Sequence, residues 1–252
     1  MKTNTTWSFS PDEFAHVWES ETGLDTIPFP ISILETPTTA DEYESQRQEM
    51  SARYPHHGDP DLIGPLRVLA EPDLRIISWG RFHKSSNRIR TLAAAAADLG
   101  VVLFQKSGPT EYFGGDLRLV VTHRERLGKH LAATLPPTPA GALPRLIGYT
   151  PRVRGEEPPS SWLRNNNNQR PIEERIRLLL RASRTAEGYL RIERNLSDDR
   201  PYPPEYMSWF DIRTGTPAAG RYLVDVTHTD TTITPASAET IASELHRRAD
   251  LG

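Results

Sequence analysis

The chain has 252 residues, 37% hydrophobic and 25% charged, with 22 prolines and no cysteine. That length is enough for one large domain or two small ones with a sizeable core, and the missing thiols exclude disulfides, a thiolate nucleophile and a Cys-ligated zinc. A net charge of −3 argues against a general nucleic-acid binder; with no membrane-length apolar run and no basic-then-apolar leader pattern, a soluble cytoplasmic protein without membrane insertion is expected.

The first helix is announced at Ser10. Ser10 can cap it, Pro11 suits its first position, Glu13 completes a capping box, and Phe9 with Phe14 has the spacing of a hydrophobic staple. Phe14, Val17 and Trp18 form one apolar stripe, so this helix docks on a core built elsewhere in the chain. "TIPFPISIL" reads as an edge strand or extended segment because of its two prolines. Thr39 and Glu42 make a second capping box for a polar helix over 40–54, with Tyr43, Met50 and Tyr54 as a thin stripe. "HHGDPD" is a turn, and "LIGPLRVLAE" a short helix with Leu66 and Leu69 inward.

From Leu74 the hydrophobic period becomes two, which predicts antiparallel strands through "LRIISWGRFH", "NRIRTLAAAAADLGVVLFQKSG" and "DLRLVV". The five alanines at 93–97 favour helix by propensity, yet their β-like flanks predict strand. Thr122 with Glu125 predicts a helix placing Leu127, Leu131 and Leu135 inward. A linker at 136–144, a strand "RLIGYTPRV" and a long polar loop with an Asn run at 165–168 follow. Pro171 then opens a helix, "PIEERIRLLLRAS". Strands are expected at "GYLRIERN", "EYMSWFDIR" and "GRYLVDVTH", and Thr234 with Pro235 starts the last helix.

The second half echoes the first. "LRI" occurs at Leu74–Ile76 and Leu190–Ile192, and an offset of 114 aligns Leu119 with Ile233, Leu127 with Ile241 and Leu131 with Leu245. The expected fold is α+β, with two quasi-symmetric halves around a central antiparallel sheet flanked by helices. The whole of 1–252 is one domain, with halves at about 1–135 and 145–252.

Charge is unevenly placed. Residues 1–72 hold 4 basic and 13 acidic side chains (−9), residues 73–194 hold 21 and 11 (+10), and residues 195–252 hold 5 and 9 (−4). Either the acidic and basic segments attract each other within the fold, or the basic middle faces a partner. Arg81, Lys84, Arg88 and Arg90, with Trp79 and Phe82 beside them, form the stretch that a nucleic-acid-binding module would use. Its bland reading is a strand pair with a solvated face and a polar turn.

No P-loop, dinucleotide fingerprint, nucleophile elbow, zincin motif or EF-hand loop is present. His56, His57, Asp59 and Asp61 are the densest group of metal-type ligands, but adjacent histidines in a turn ordinarily diverge, so surface polarity is the expected reading. No catalytic residue, cofactor or metal is expected. The "RIRLLLR" helix has a wide apolar face that reads as core, with a partner helix in a groove beside it as the functional reading. Ile176 and Leu180 therefore enter as candidate partner contacts.

"WSFSPDEFAHVWE" with "IPFPISI", then "PRVRG", "WFDIRTGTPAAGRYLV" and "TTITPASAETIASEL", in that order along the whole chain, resemble the EspG family of ESX, or type VII, secretion-associated proteins of actinobacteria. The resemblance implies a cytosolic chaperone without catalytic activity. It implies binding of PE–PPE heterodimers through the apolar helical tip of the PPE protein, ahead of delivery to the secretion machinery. It also implies the two-half α+β fold. The family's partner surface, the loop between its second and third strands and the C-terminal helical bundle, places the contact here by position at Phe82, His83, Lys84, Ser85, Ser86, Asn87 and Arg88. An Asn-rich loop and many arginines around 170–194 depart from the family pattern.

Overall fold

A computed structural model of the chain describes residues 5–37, 39–158 and 170–251. The Asn-rich loop expected at 165–168 lies outside the described residues. One antiparallel sheet of ten strands organises everything else, in the order β1-β5-β4-β3-β2-β7-β8-β9-β10-β6. The first half runs β1 (Thr6–Phe9), α1 (Pro11–Thr22), α2 (Ala40–Arg53), α3 (Pro60–Ala70), the meander β2 (Leu74–Phe82), β3 (Arg88–Ala96), β4 (Leu99–Ser107) and β5 (Gly114–His123), then α4 (Leu127–Thr134). The second runs β6 (Leu146–Tyr149), α5 (Thr150–Arg154), α6 (Ile172–Leu180), the meander β7 (Arg184–Glu193), β8 (Glu205–Ile212), β9 (Gly220–Val226) and β10 (Asp230–Pro235), then α7 (Ala238–Ala249).

The same succession thus occurs twice, and the two meanders meet at β2 and β7. There Ile76 lies opposite Ile192, the two ends of the "LRI" echo. α4 packs on α7, the helices that follow the two meanders. A Cβ at Gly128 would lie 2.8 Å from the Ala242 carbonyl oxygen, so glycine permits the helices to approach this closely. Leu119, Ile233, Leu127, Ile241, Leu131 and Leu245 are all fully buried.

The first helix forms as its sequence dictates. Ser10 Oγ accepts from Glu13 N at 3.2 Å, and Glu13 Oε2 accepts from Ser10 N at 2.7 Å. The Phe9 and Phe14 rings meet edge to face at 5.9 Å, and Phe14 stacks on Trp18. Phe14, Val17 and Trp18 are buried against α3 and β5, beside the β1 end of the sheet. Full burial of side chains this large contributes roughly 1.5–3 kcal/mol each. α2 carries the expected Thr39–Glu42 box, buries no residue, and faces α1 across a 250 Å³ cleft.

The alanine run is strand through Ala96, with Ala97 in the turn that follows, and for a packing reason. β3 has helices on both faces, with Ala93 and Ala95 in the core beneath α4, and Ala94 in the core beneath α3. Small side chains let both helix layers approach, and burial outweighs the modest helix preference of alanine.

Several expected boundaries are corrected. "TIPFPISIL" pairs in no strand and turns at Phe29–Pro30, where Ile31 N donates to Pro28 O at 3.1 Å. Thr122 caps no helix: it pairs with Gly100 at the end of β5, and a short 3₁₀ turn, Arg124–Arg126, precedes α4. Only Leu146–Tyr149 of "RLIGYTPRV" is strand, because Thr150 and Pro151 open α5. Thr234 and Pro235 belong to β10, opposite Leu223 and Tyr222, and the cap of α7 is Ser237, which accepts from Thr240 N at 3.1 Å. Among the described ion pairs none joins the acidic first segment to the basic middle, although Arg194 pairs with Glu205 across the boundary between the middle and the acidic last segment. Arg53 pairs with Glu13 inside the first segment, while Arg75–Glu193, Arg81–Glu187 and Arg88–Glu111 lie inside the second.

Candidate functional site

The β2–β3 hairpin projects from the end of β2, next to the start of β7. Phe82 packs onto the core, while Lys84, Ser85, Ser86 and Asn87 are exposed. The tip is shaped locally, since Phe82 N donates to Asn87 O at 3.3 Å and Asn87 N to Ser85 Oγ at 3.3 Å. His83 N donates to Thr185 O at 3.0 Å, and its Nε2 lies 3.3 Å from Glu187 Oε1. Glu187 is the node of this corner. Arg81 Nε donates to it at 2.8 Å, and Arg184 reaches it from the same strand. Burial alone would raise the Glu187 pKa, but hydrogen bonds from Arg81 and Arg184, with their charge, outweigh burial and lower it.

From this corner an open groove of about 510 Å³ runs over one face of β2, β7, β8 and β9. The register makes its floor: Trp79 is opposite Tyr189, Tyr189 opposite Ser208, and Ser208 opposite Val224. Trp79 stacks on Tyr189 with ring centroids 5.7 Å apart, and Tyr206, 53% exposed, meets Tyr189 at 5.9 Å. Arg81 and Glu187 belong to both the groove and the hairpin corner. The groove exists because the halves are covered differently. α3 lies on β3 and β4, whereas α6 lies outward against β6 and α5. The sequence placed Trp79 beside a basic stretch but gave no sign that Tyr189 and Tyr206 join it. Cross-strand register, which exists only once the meanders pair, brings them together.

Leu180 is half-buried and lines the groove. Ile176 does not: it is fully buried between α6 and β6, where the absent side chain of Gly148 makes room for it. The expected basic patch is largely engaged within the fold. Arg81 and Arg88 are in ion pairs, and Arg90, 4% exposed, donates to the carbonyl oxygens of Glu111 and Tyr112 at 2.6 and 3.2 Å. Burial, and then the charge of Arg88, lower the pKa of Arg90. Lys84 is the cation of this stretch with no ion-pair partner among the described residues.

Trp209, Asp211 and Arg221, from the "WFDIRTGTPAAGRYLV" stretch, have a structural role. Arg221 donates to both oxygens of Asp211, Nε at 2.7 Å and Nη2 at 2.8 Å, in a pair that is at most 1% exposed. Arg221 also donates to Pro136 O at 2.7 Å and sits over the Trp209 ring at 5.0 Å. Thr138 donates to Asp211 Oδ2 at 2.8 Å, so this pair ties the linker between the halves to the second meander.

His56 and His57 do not diverge. Their ring centroids are 3.6 Å apart and both Nδ1 atoms face Glu21, at the end of α1. Asp59 is elsewhere, capping α3 and accepting from Trp7 Nε1 at 2.8 Å.

Two matching meanders joined into one open antiparallel sheet, with an aromatic groove that ends at an exposed hairpin, define a two-half α+β protein. The chain belongs to the EspG family, whose model matches residues 10–247. Its fold is similar to that of the Mycobacterium tuberculosis type VII secretion system chaperone EspG5, solved in complex with the PE25–PPE41 dimer. The TM-score is 0.60 at 13% identity, covering 95% of this chain and 94% of that one. A search of curated proteins gives no significant match. No helix among the described residues is long and apolar enough to cross a membrane.

Proposed function

We propose that this chain is a type VII secretion chaperone that binds a PE–PPE heterodimer and shields the apolar helical tip of the PPE protein in the cytoplasm. The observation that carries this reading is the groove floored by Trp79 and Tyr189, with Tyr206 against the Tyr189 ring, which reaches the hairpin of Phe82 to Arg88 through Arg81 and Glu187. An amphipathic helical tip laid there removes apolar surface from water on both partners, and the groove's aromatic residues are the types that dominate such interfaces. Lys84 at the rim supplies charge for steering. Capture of this kind involves no covalent step, and one domain with halves at about 1–135 and 145–252 suffices for it.

The test is co-expression with PE–PPE pairs of the same genome, followed by size-exclusion chromatography with light scattering. A stable 1:1:1 complex with one pair is expected, and charged substitutions at the PPE tip should abolish it. Well-folded protein that captures no pair would overturn the reading.

A further inference from the structure

We infer that Glu21, His56 and His57 form a binding site for a transition-metal dication of the zinc class, clipping the end of α1 to the turn before α3. The site is independent of the groove and of any client.

The donor atoms already converge. Glu21 Oε2 lies 2.9 Å from His57 Nδ1, Oε1 lies 3.9 Å from His56 Nδ1, and one ligand atom of each residue falls within 4.8 Å of the others. Four ligands about 2.0–2.1 Å from a tetrahedral zinc are about 3.3 Å from one another, a value between the two separations observed. Two imidazoles and a carboxylate, in a chain without thiols, suit Zn²⁺, Co²⁺ or Ni²⁺ rather than Mg²⁺ or Ca²⁺. Ser20 Oγ is 3.4 Å from His56 Nδ1, and Glu21 borders a cavity of about 250 Å³. A water in that space would complete the fourth position.

Electrostatics also call for a cation there. The Glu21 side chain is 7% exposed, and no Lys or Arg among the described residues pairs with it. It stands in the last turn of α1, which has no basic residue, at the helix end where a negative charge is disfavoured. The turn is shaped to meet this carboxylate. His57 takes a left-handed φ of 58°, and its backbone N–H donates to Glu21 Oε1 at 2.7 Å. Gly58 follows it, where a Cβ would lie 2.7 Å from the Pro55 ring.

The experiment is titration of untagged, chelator-treated protein with ZnCl₂ by calorimetry, and with CoCl₂ by visible absorption. One saturable site, a tetrahedral cobalt spectrum and a thermal midpoint raised by about 5–10 °C at a hundredfold excess over Kd are expected. His57→Gly, which removes the ring yet favours the left-handed backbone, and His56→Ala, at an exposed ring, should each weaken binding by more than about tenfold. Circular dichroism establishes that both variants fold. Absence of a saturable site in the parent protein, or affinity unchanged in both variants, would overturn the assignment and leave a histidine–glutamate hydrogen-bonded turn.

Discussion

Replacing Asp211 with alanine should be among the most damaging single substitutions in this protein. It would leave the Arg221 guanidinium, 1% exposed, with the Pro136 carbonyl oxygen and the Trp209 face as its remaining partners. Removing one member of a buried ion pair costs about 3–5 kcal/mol, a large share of the roughly 5–15 kcal/mol by which a native protein is stable. For a chain of this size, that loss lowers the thermal midpoint by about 6–20 °C. The Thr138 hydroxyl loses its acceptor in the same change, so protease sensitivity should rise around residues 136–140. Asp211→Leu combined with Arg221→Met should recover most of the stability, because no uncompensated charge stays buried. Urea denaturation of the three proteins, read by tryptophan fluorescence, gives the comparison. A single-variant loss below about 1 kcal/mol, or a double variant no better than Asp211→Ala, would refute the reasoning.

Other outcomes are expected. Lys84→Glu should leave stability within about 0.5 kcal/mol and slow association with a PE–PPE pair, most strongly at low salt, as read by surface plasmon resonance. Arg88→Glu is a poorer probe, because it also repels Glu111 across a broken ion pair. Trp79→Ala should weaken client binding by about thirtyfold, roughly 2 kcal/mol, in calorimetric titration, since it removes the ring that stacks on Tyr189. His130 has its pKa lowered from 6.5 by burial first, and then by Lys129 and Arg126. The unfolded chain therefore binds this proton more readily than the native one. The contribution of neutral His130 is present above pH 6.5 and is lost as pH falls through 6.5 towards the lowered native value. In His130→Gln that part of the acid destabilisation should disappear from melting curves taken across this window.

What could be read from sequence was what depends on neighbours in the chain. The Ser10 and Thr39 capping boxes, the period-two runs of both meanders and the Leu127–Leu131–Leu135 stripe are local signals, and each formed where expected. The errors came where two local signals competed. Thr122 and Thr234 both look like helix caps, but pairing with Gly100 and Leu223 extended the strands past them, and Ser237 was free to cap in place of Thr234. The site was less legible, because its parts meet through register. Trp79 and Tyr189 are more than a hundred residues apart in sequence, as are Arg81 and Glu187. Glu21 reaches His57 across 36 residues, so only two of the three donors are neighbours in the chain.

The β2–β7 ladder and the α4–α7 contact form, inside one polypeptide, the self-complementary contact that a twofold homodimer makes between protomers. Covalent linkage through residues 136–145 holds the two units together at an effective concentration on the order of millimolar, whatever the cellular level of the protein. It also frees each unit to diverge. A true homodimer must repeat every surface, so it would present two aromatic grooves or none. Here α3 fills one of the related positions and α6 leaves the other open. On the proposed reading, a duplicated scaffold with a single aromatic groove would take up a single client.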